Sequence, residues 1–177
     1  MISDTRNKLH SAHTNLFNSH LLVFGHSMGG FISLRLSNRR NELNMHTQLS
    51  GWIVESPMTG YSEIFDETCD LLRIPSLLRP LVLQKTMRQF NALNVRTKDL
   101  NSLSDVDAPD WGEFSEPTLL IQANPDERLG SSHYLRLQRV MDAKSQRLLT
   151  SGLIDDLAHS GAAVQPRRDE FIRQCIH

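Results

Sequence analysis

The chain has 177 residues, enough for one domain with a sizeable core. A formal net charge of −1 gives no overall electrostatic basis for holding nucleic acid or an anionic surface. The two cysteines, Cys69 and Cys175, lie far apart without metal-ligand spacing, which argues against a disulfide framework.

Residues 3–18 carry Leu9, Ala12 and Leu16 at helical spacing behind the caps Ser3 and Asp4, and no apolar signal-peptide core. No later apolar run approaches membrane-spanning length, so a cytoplasmic setting is expected. Leu21–Phe24 reads as a continuously apolar strand, buried on both faces of a parallel sheet. A helix is expected from Ser27 to Arg40, then a strand over Trp52–Glu55; strand, helix, strand at this pitch implies a crossover unit. From Pro57 to Glu116 the texture changes. Leucines crowd around Pro75 and Pro80, which break any long helix, and Asn101–Asp110 is polar and acidic and reads as a loop. The section 57–116 is expected to be a helical insertion within one domain spanning 1–177. Pro117–Gln122 is the next buried strand. Ser131–Lys144 is an amphipathic helix with Tyr134, Leu137, Val140 and Met141 on one face, and His133 is expected at its surface or boundary. Gln146–Thr150 is a last short strand. After Pro166, a terminal helix has Phe171, Ile172, Cys175 and Ile176 as its inward stripe.

The chemistry concentrates at residues 21–30, Leu-Leu-Val-Phe-Gly-His-Ser-Met-Gly-Gly. An apolar strand running into Gly25-x-Ser27-x-Gly29 and then a helix is what a nucleophile elbow requires. The serine sits at a sharp turn where a side chain at either flanking glycine would collide with backbone. The helix N-terminus then aims unpaired N–H groups at the reacting carbonyl oxygen. A serine hydroxyl needs an imidazole to take its proton and a carboxylate to fix that imidazole. In chain order, Ala-Asn-Pro-Asp126-Glu127 offers two acids after one strand, and Leu-Ala-His159-Ser-Gly161 offers a histidine after the next. Asp126, on the shorter side chain in a tight turn, is the first choice and Glu127 the second. Of the other histidines, His10, His13, His20 and His46 have the wrong chain position, and His26 shapes the elbow. No H-x-x-x-H or H-E-x-x-H spacing suggests a metal.

With these residues placed, the chain resembles the lysophospholipase and monoacylglycerol-lipase branch of the α/β-hydrolases. Gly-His-Ser-Met-Gly-Gly is typical of that branch's elbow, and Glu55-Ser56-Pro57-Met58 is similar to the start of its cap. Pro117-Thr-Leu-Leu-Ile-Gln-Ala resembles the strand before its acid. His159 followed by Arg168-Asp169-Glu170-Phe171 resembles its ending. The resemblance implies an α/β-hydrolase fold: a partial parallel sheet with flanking helices and a helical cap over 57–116. It implies Ser27 as nucleophile, Asp126 as orienting acid, His159 as general base and acid, and the Met28 N–H as an oxyanion donor. The implied reaction is ester cleavage through an acyl-enzyme, without a cofactor, on a small-molecule lipid ester such as a lysophospholipid or monoacylglycerol. Such a substrate is compatible with peripheral contact at the inner face of a membrane. The cap leucines would form an acyl-chain tunnel, at least half of them also packing the cap onto the core.

The chain departs from that family in two places. Ser27 lies too near the start for the strands that precede the nucleophile in the fold, and no His-Gly or Gly-Gly loop stands upstream to give a second oxyanion donor. The chain therefore reads as the C-terminal portion of a longer hydrolase, N-terminally truncated and impaired on its own, with residues 21–24 left at a sheet edge. Gly161-Ala162-Ala163 also follows His159 where relatives carry bulkier residues. The rival expectations are a hydrolase of non-lipid acyl substrates and an inactive remnant serving as a binding module.

Overall fold

The structure is a computed structural model and describes residues 20–42, 49–93, 99–124, 126, 129–143, 149–155 and 161–176. Among these, four strands form one parallel sheet in the order β1 (Leu21–His26), β2 (Leu49–Glu55), β3 (Thr118–Asn124) and β4 (Leu149–Asp155). Helix α1 (Met28–Asn38) joins β1 to β2. Between β2 and β3 lie α2 (Ser62–Leu71), a 3-10 turn (Ser76–Leu78), α3 (Arg79–Leu93) and a second 3-10 turn (Leu103–Val106). Helix α4 (Ser132–Ala143) follows β3, and α5 (Gly161–Ile176) follows β4. The prolines act as expected: Pro75 precedes the first 3-10 turn and Pro80 occupies the first turn of α3, where its missing N–H costs nothing.

Alternation along the strands divides the core into two layers. Trp52, Val54 and Leu120 face one side and pack with Phe31 and Leu34 of α1 and Tyr134, Leu137 and Met141 of α4. Ile53, Leu119 and Ile121 face the other and pack with Val164 and Phe171 of α5. Each such fully buried aliphatic or aromatic side chain contributes about 1.5–3 kcal/mol. The segment returning to β3 seals the first layer. Trp111 stacks on Phe31 with centroids 4.7 Å apart, and its indole N–H donates to the Phe31 carbonyl at 3.0 Å. Phe114 packs against Trp52 at 4.9 Å, and the Trp52 indole donates to Glu116 at 2.8 Å.

Several expectations need correction. β1 is not buried on both faces: it is one of the two outermost strands among the described residues, Leu21, Leu22 and Val23 are half-buried and Phe24 is exposed. An apolar run does not distinguish a central strand from an edge one. The last strand begins at Leu149 and extends to Asp155, through residues expected to be loop. Helix α5 starts at Gly161 and carries Pro166 inside it, and Ile176 is exposed; its buried face is Val164 and Phe171, with Cys175 half-buried.

His133 is fully buried. It shares the i, i+4 spacing of Leu137 and Met141, so it lies on the inward face of α4. The 101–110 segment is not merely solvated either. Val106 is buried, and the Asp107 carboxylate accepts from the backbone N–H groups of Tyr61 (2.7 Å) and Ser62 (3.2 Å), capping α2. The leucines of the 57–116 section do not all pack inward: Leu71, Leu72, Leu77, Leu78 and Leu81 are exposed. The helix expected over residues 3–18, with His10 and His13, lies outside the described residues, as do His46 and His177.

Candidate active site

Ser27 stands between the end of β1 and the start of α1, half-buried, with φ 51° and ψ −115°. This is not the left-handed helical well, whose ψ is positive, but a strained conformation that L-residues hold only where the surroundings impose it. Three hydrogen bonds impose it. The Ser27 N–H donates to the Glu55 carbonyl at 3.0 Å, and the Ser27 carbonyl accepts from the N–H groups of Gly30 (2.9 Å) and Met58 (3.0 Å). A serine before a helix ordinarily turns its hydroxyl onto the helix N–H groups; Ser27 makes no such capping bond. The Met28 N–H is among the first donors of α1, which have no partner within the helix.

The glycines act differently from expectation. A Cβ on Gly25 would lie 2.6 Å from Ser33 Oγ and 2.7 Å from the Gly29 carbonyl oxygen, so Gly25 does permit the close approach. A Cβ on Gly29 would meet nothing within 4 Å. The second obligatory glycine is Gly30, where a Cβ would fall 2.4 Å from Pro57 Cβ. The motif thus needs its sixth residue because the segment after β2 crosses directly behind the turn.

Glu55-Ser56-Pro57-Met58 is accordingly a brace for the elbow. Ser56 also has positive φ, 40°, held by its N–H donating to the Ile121 carbonyl at 2.8 Å. Glu55 is buried, and its carboxylate accepts from the Arg168 guanidinium at 2.6 Å, which also lies over the Phe24 ring at 5.3 Å. This pair ties α5 to the strand end that holds the Ser27 N–H. His26 is exposed beside the turn, and His20 is exposed with its Nδ1 2.9 Å from Ser50 Oγ.

Asp126 follows the carboxyl end of β3, half-buried and fixed by its neighbours. Gln122 Nε2 donates to Oδ2 at 2.6 Å and the Leu129 N–H to Oδ1 at 2.8 Å, while the Asp126 carbonyl accepts from the Gly130 N–H at 3.1 Å. Gln122, an amide almost wholly buried in an apolar strand, was the signal that reading by strand periodicity passed over. Ser27 and Asp126 therefore both follow carboxyl ends of strands in one parallel sheet, one strand apart. β4, beyond β3, ends at Asp155. Glu127 and His159 lie outside the described residues.

A second polar cluster joins α2 to α4. Arg136 pairs with Glu63 and lies 3.8 Å from Asp107 Oδ2. His133 Nδ1 accepts from the Thr59 N–H at 3.1 Å, and burial pushes its imidazole below the ordinary value of 6.5. Burial alone would raise the Glu63 carboxyl and is the largest single influence, but the hydrogen bond from Arg136, a backbone hydrogen bond and the nearby positive charge together outweigh it and hold that carboxyl low. An open cleft of about 310 Å3 beside this cluster is lined by Glu63, Ser132, Arg136, Arg139 and Val140, and no candidate catalytic residue borders it. Among the described residues no group of three histidine, cysteine or carboxylate side chains is placed to hold a metal ion.

No protein-family model matches the chain, and no curated protein matches it in sequence. Solved structures match it in shape. An α/β-hydrolase from Vibrio vulnificus superposes with a TM-score of 0.51 at 18% identity, covering 96% of this chain and 54% of the other. The mouse α/β-hydrolase domain-containing protein 10 gives 0.51 at 13% identity, covering 96% and 68%. This chain spans about half the length of the Vibrio protein. The parallel sheet, its flanking helices and these likenesses define an α/β-hydrolase fold.

Proposed function

We propose that the chain carries the nucleophile of a serine hydrolase that cleaves carboxylic esters through an acyl-enzyme. The observation that carries this reading is the strained backbone of Ser27, held by three hydrogen bonds at a strand-to-helix turn with its hydroxyl left out of helix capping. Strain of about 1–3 kcal/mol at a non-glycine residue persists where function requires the geometry. In this reading Ser27 attacks the ester carbonyl and the Met28 N–H receives the developing oxyanion. His159 takes the serine proton, gives it to the departing alcohol and then activates water for deacylation. Asp126, already held by Gln122 and the Leu129 N–H, orients the imidazole, with Glu127 as the alternative acid.

The substrate is a lipid ester, a lysophospholipid or monoacylglycerol, and the helices between Pro57 and Glu116 serve as the cap. The elbow and cap-start motifs support this finer assignment by resemblance. A fluorophosphonate probe should label the native protein at Ser27, and Ser27→Ala should abolish both labelling and the hydrolysis of p-nitrophenyl esters, which the native chain is expected to carry out only at an impaired rate. Hydrolysis unchanged in Ser27→Ala would overturn the reading. Lysophosphatidylcholine and monoacylglycerol left uncleaved under conditions where short p-nitrophenyl esters are hydrolysed would overturn the lipid assignment alone.

A further inference from the structure

Half of the large exposed apolar side chains among the described residues fall within eleven positions. Leu71 is 82% exposed, Leu72 64%, Leu77 85%, Leu78 46% and Leu81 64%. They lie on one turn, from the end of α2 through the 3-10 turn to the start of α3. The turn is rigidly built. The Ile74 N–H donates to the Cys69 carbonyl at 2.8 Å and the Arg73 N–H to the Asp70 carbonyl at 2.9 Å, and the Leu78 N–H donates to the Pro75 carbonyl at 2.8 Å. Arg79 closes the turn by pairing with Asp70. An apolar cluster this dense, held on a fixed scaffold in water, marks an interaction surface.

The charges around it choose the partner. From Leu71 to Leu93 the sequence holds Arg73, Arg79, Lys85 and Arg88 and no aspartate or glutamate. Arg73, Lys85 and Arg88 are exposed; Arg79 is partly neutralised by Asp70, and the exposed acids Asp66 and Glu67 lie further back on α2. The near-neutral whole-chain charge conceals this local excess. No helix among the described residues is long and apolar enough to cross a membrane. We infer that the leucine turn at residues 71–81 inserts into the surface of an anionic lipid bilayer, with Arg73, Lys85 and Arg88 on its headgroups. The inference does not depend on Ser27 or on any catalysis.

The test is co-sedimentation of the full chain with vesicles of phosphatidylcholine alone and of an equimolar mixture with phosphatidylglycerol. Native protein should bind the mixed vesicles and lose binding as salt screens the surface. Leu71→Ser with Leu77→Ser should weaken binding about tenfold or more. Lys85→Gln with Arg88→Gln should weaken binding to mixed vesicles about fivefold per charge removed, without affecting neutral ones. All four side chains are exposed, and equal thermal unfolding of the variants verifies that the fold is intact. No preference of the native protein for the anionic vesicles would overturn the inference, as would native-like binding by the leucine variant. So would self-association, seen by sedimentation velocity, that the leucine variant abolishes without any vesicle binding.

Discussion

Ser27 and Arg73 have nearly the same backbone φ, 51° and 53°, yet the two are held in unrelated ways. Arg73 follows α2 in a Schellman ending: its N–H reaches the Asp70 carbonyl and the next N–H, of Ile74, reaches the Cys69 carbonyl. Everything it needs comes from the preceding few residues, and a glycine is the usual occupant. Ser27 has one local bond, from the Gly30 N–H, and is otherwise fixed from outside its own segment, by the Glu55 carbonyl and the Met58 N–H about thirty residues away in sequence, with Pro57 pressed against Gly30. A positive φ supplied by a helix ending is a local habit of the chain. One supplied by tertiary bracing has to be maintained against its own relaxation.

Substitutions can break or sharpen that contrast. The largest effect is expected for Gly30→Ala, which drives a methyl group into Pro57 and should cost about 1–3 kcal/mol in denaturant unfolding, with esterase activity falling alongside. Ser27→Gly relieves the strain at the price of catalysis, and should raise stability by about 1 kcal/mol while activity disappears. Gly29→Ala has open space around the new methyl and should be neutral or up to about 0.5 kcal/mol stabilising, measured in the same unfolding titration. Arg73→Gly should gain only a few tenths of a kcal/mol, because the relief of the left-handed conformation, about 1 kcal/mol, is largely offset by the freedom glycine adds to the unfolded chain. If Arg73→Gly stabilised more than Ser27→Gly, the elbow would not be the more strained of the two.

The elements that read well from sequence are those whose neighbours are also near in sequence. The elbow followed from Gly25 and Ser27 between an apolar strand and a helix, and the broken helices of the 57–116 section followed from Pro75 and Pro80. What did not read well depends on distant contacts. Gly30 is obligatory only because Pro57 crosses behind it, and Gly29 is tolerant for want of any such neighbour. His133 lies on the inward face of α4 by its spacing, but the partner that satisfies its buried ring, the Thr59 N–H, comes from seventy-four residues away. Gln122 carries meaning only once the Asp126 carboxylate lies against it. The exposed leucines had the same composition as core leucines, and only the fold showed which side of α2 and α3 meets solvent.

The two tryptophans give the molecule a built-in optical gauge. Both indoles are shielded from water and each donates its N–H to a named oxygen, Trp52 within the sheet and Trp111 against the ring of Phe31, four residues past Ser27. Their emission in the native state should be blue-shifted. Replacing Trp52 with phenylalanine would leave a single tryptophan seated behind helix α1, able to report loosening there before the sheet comes apart.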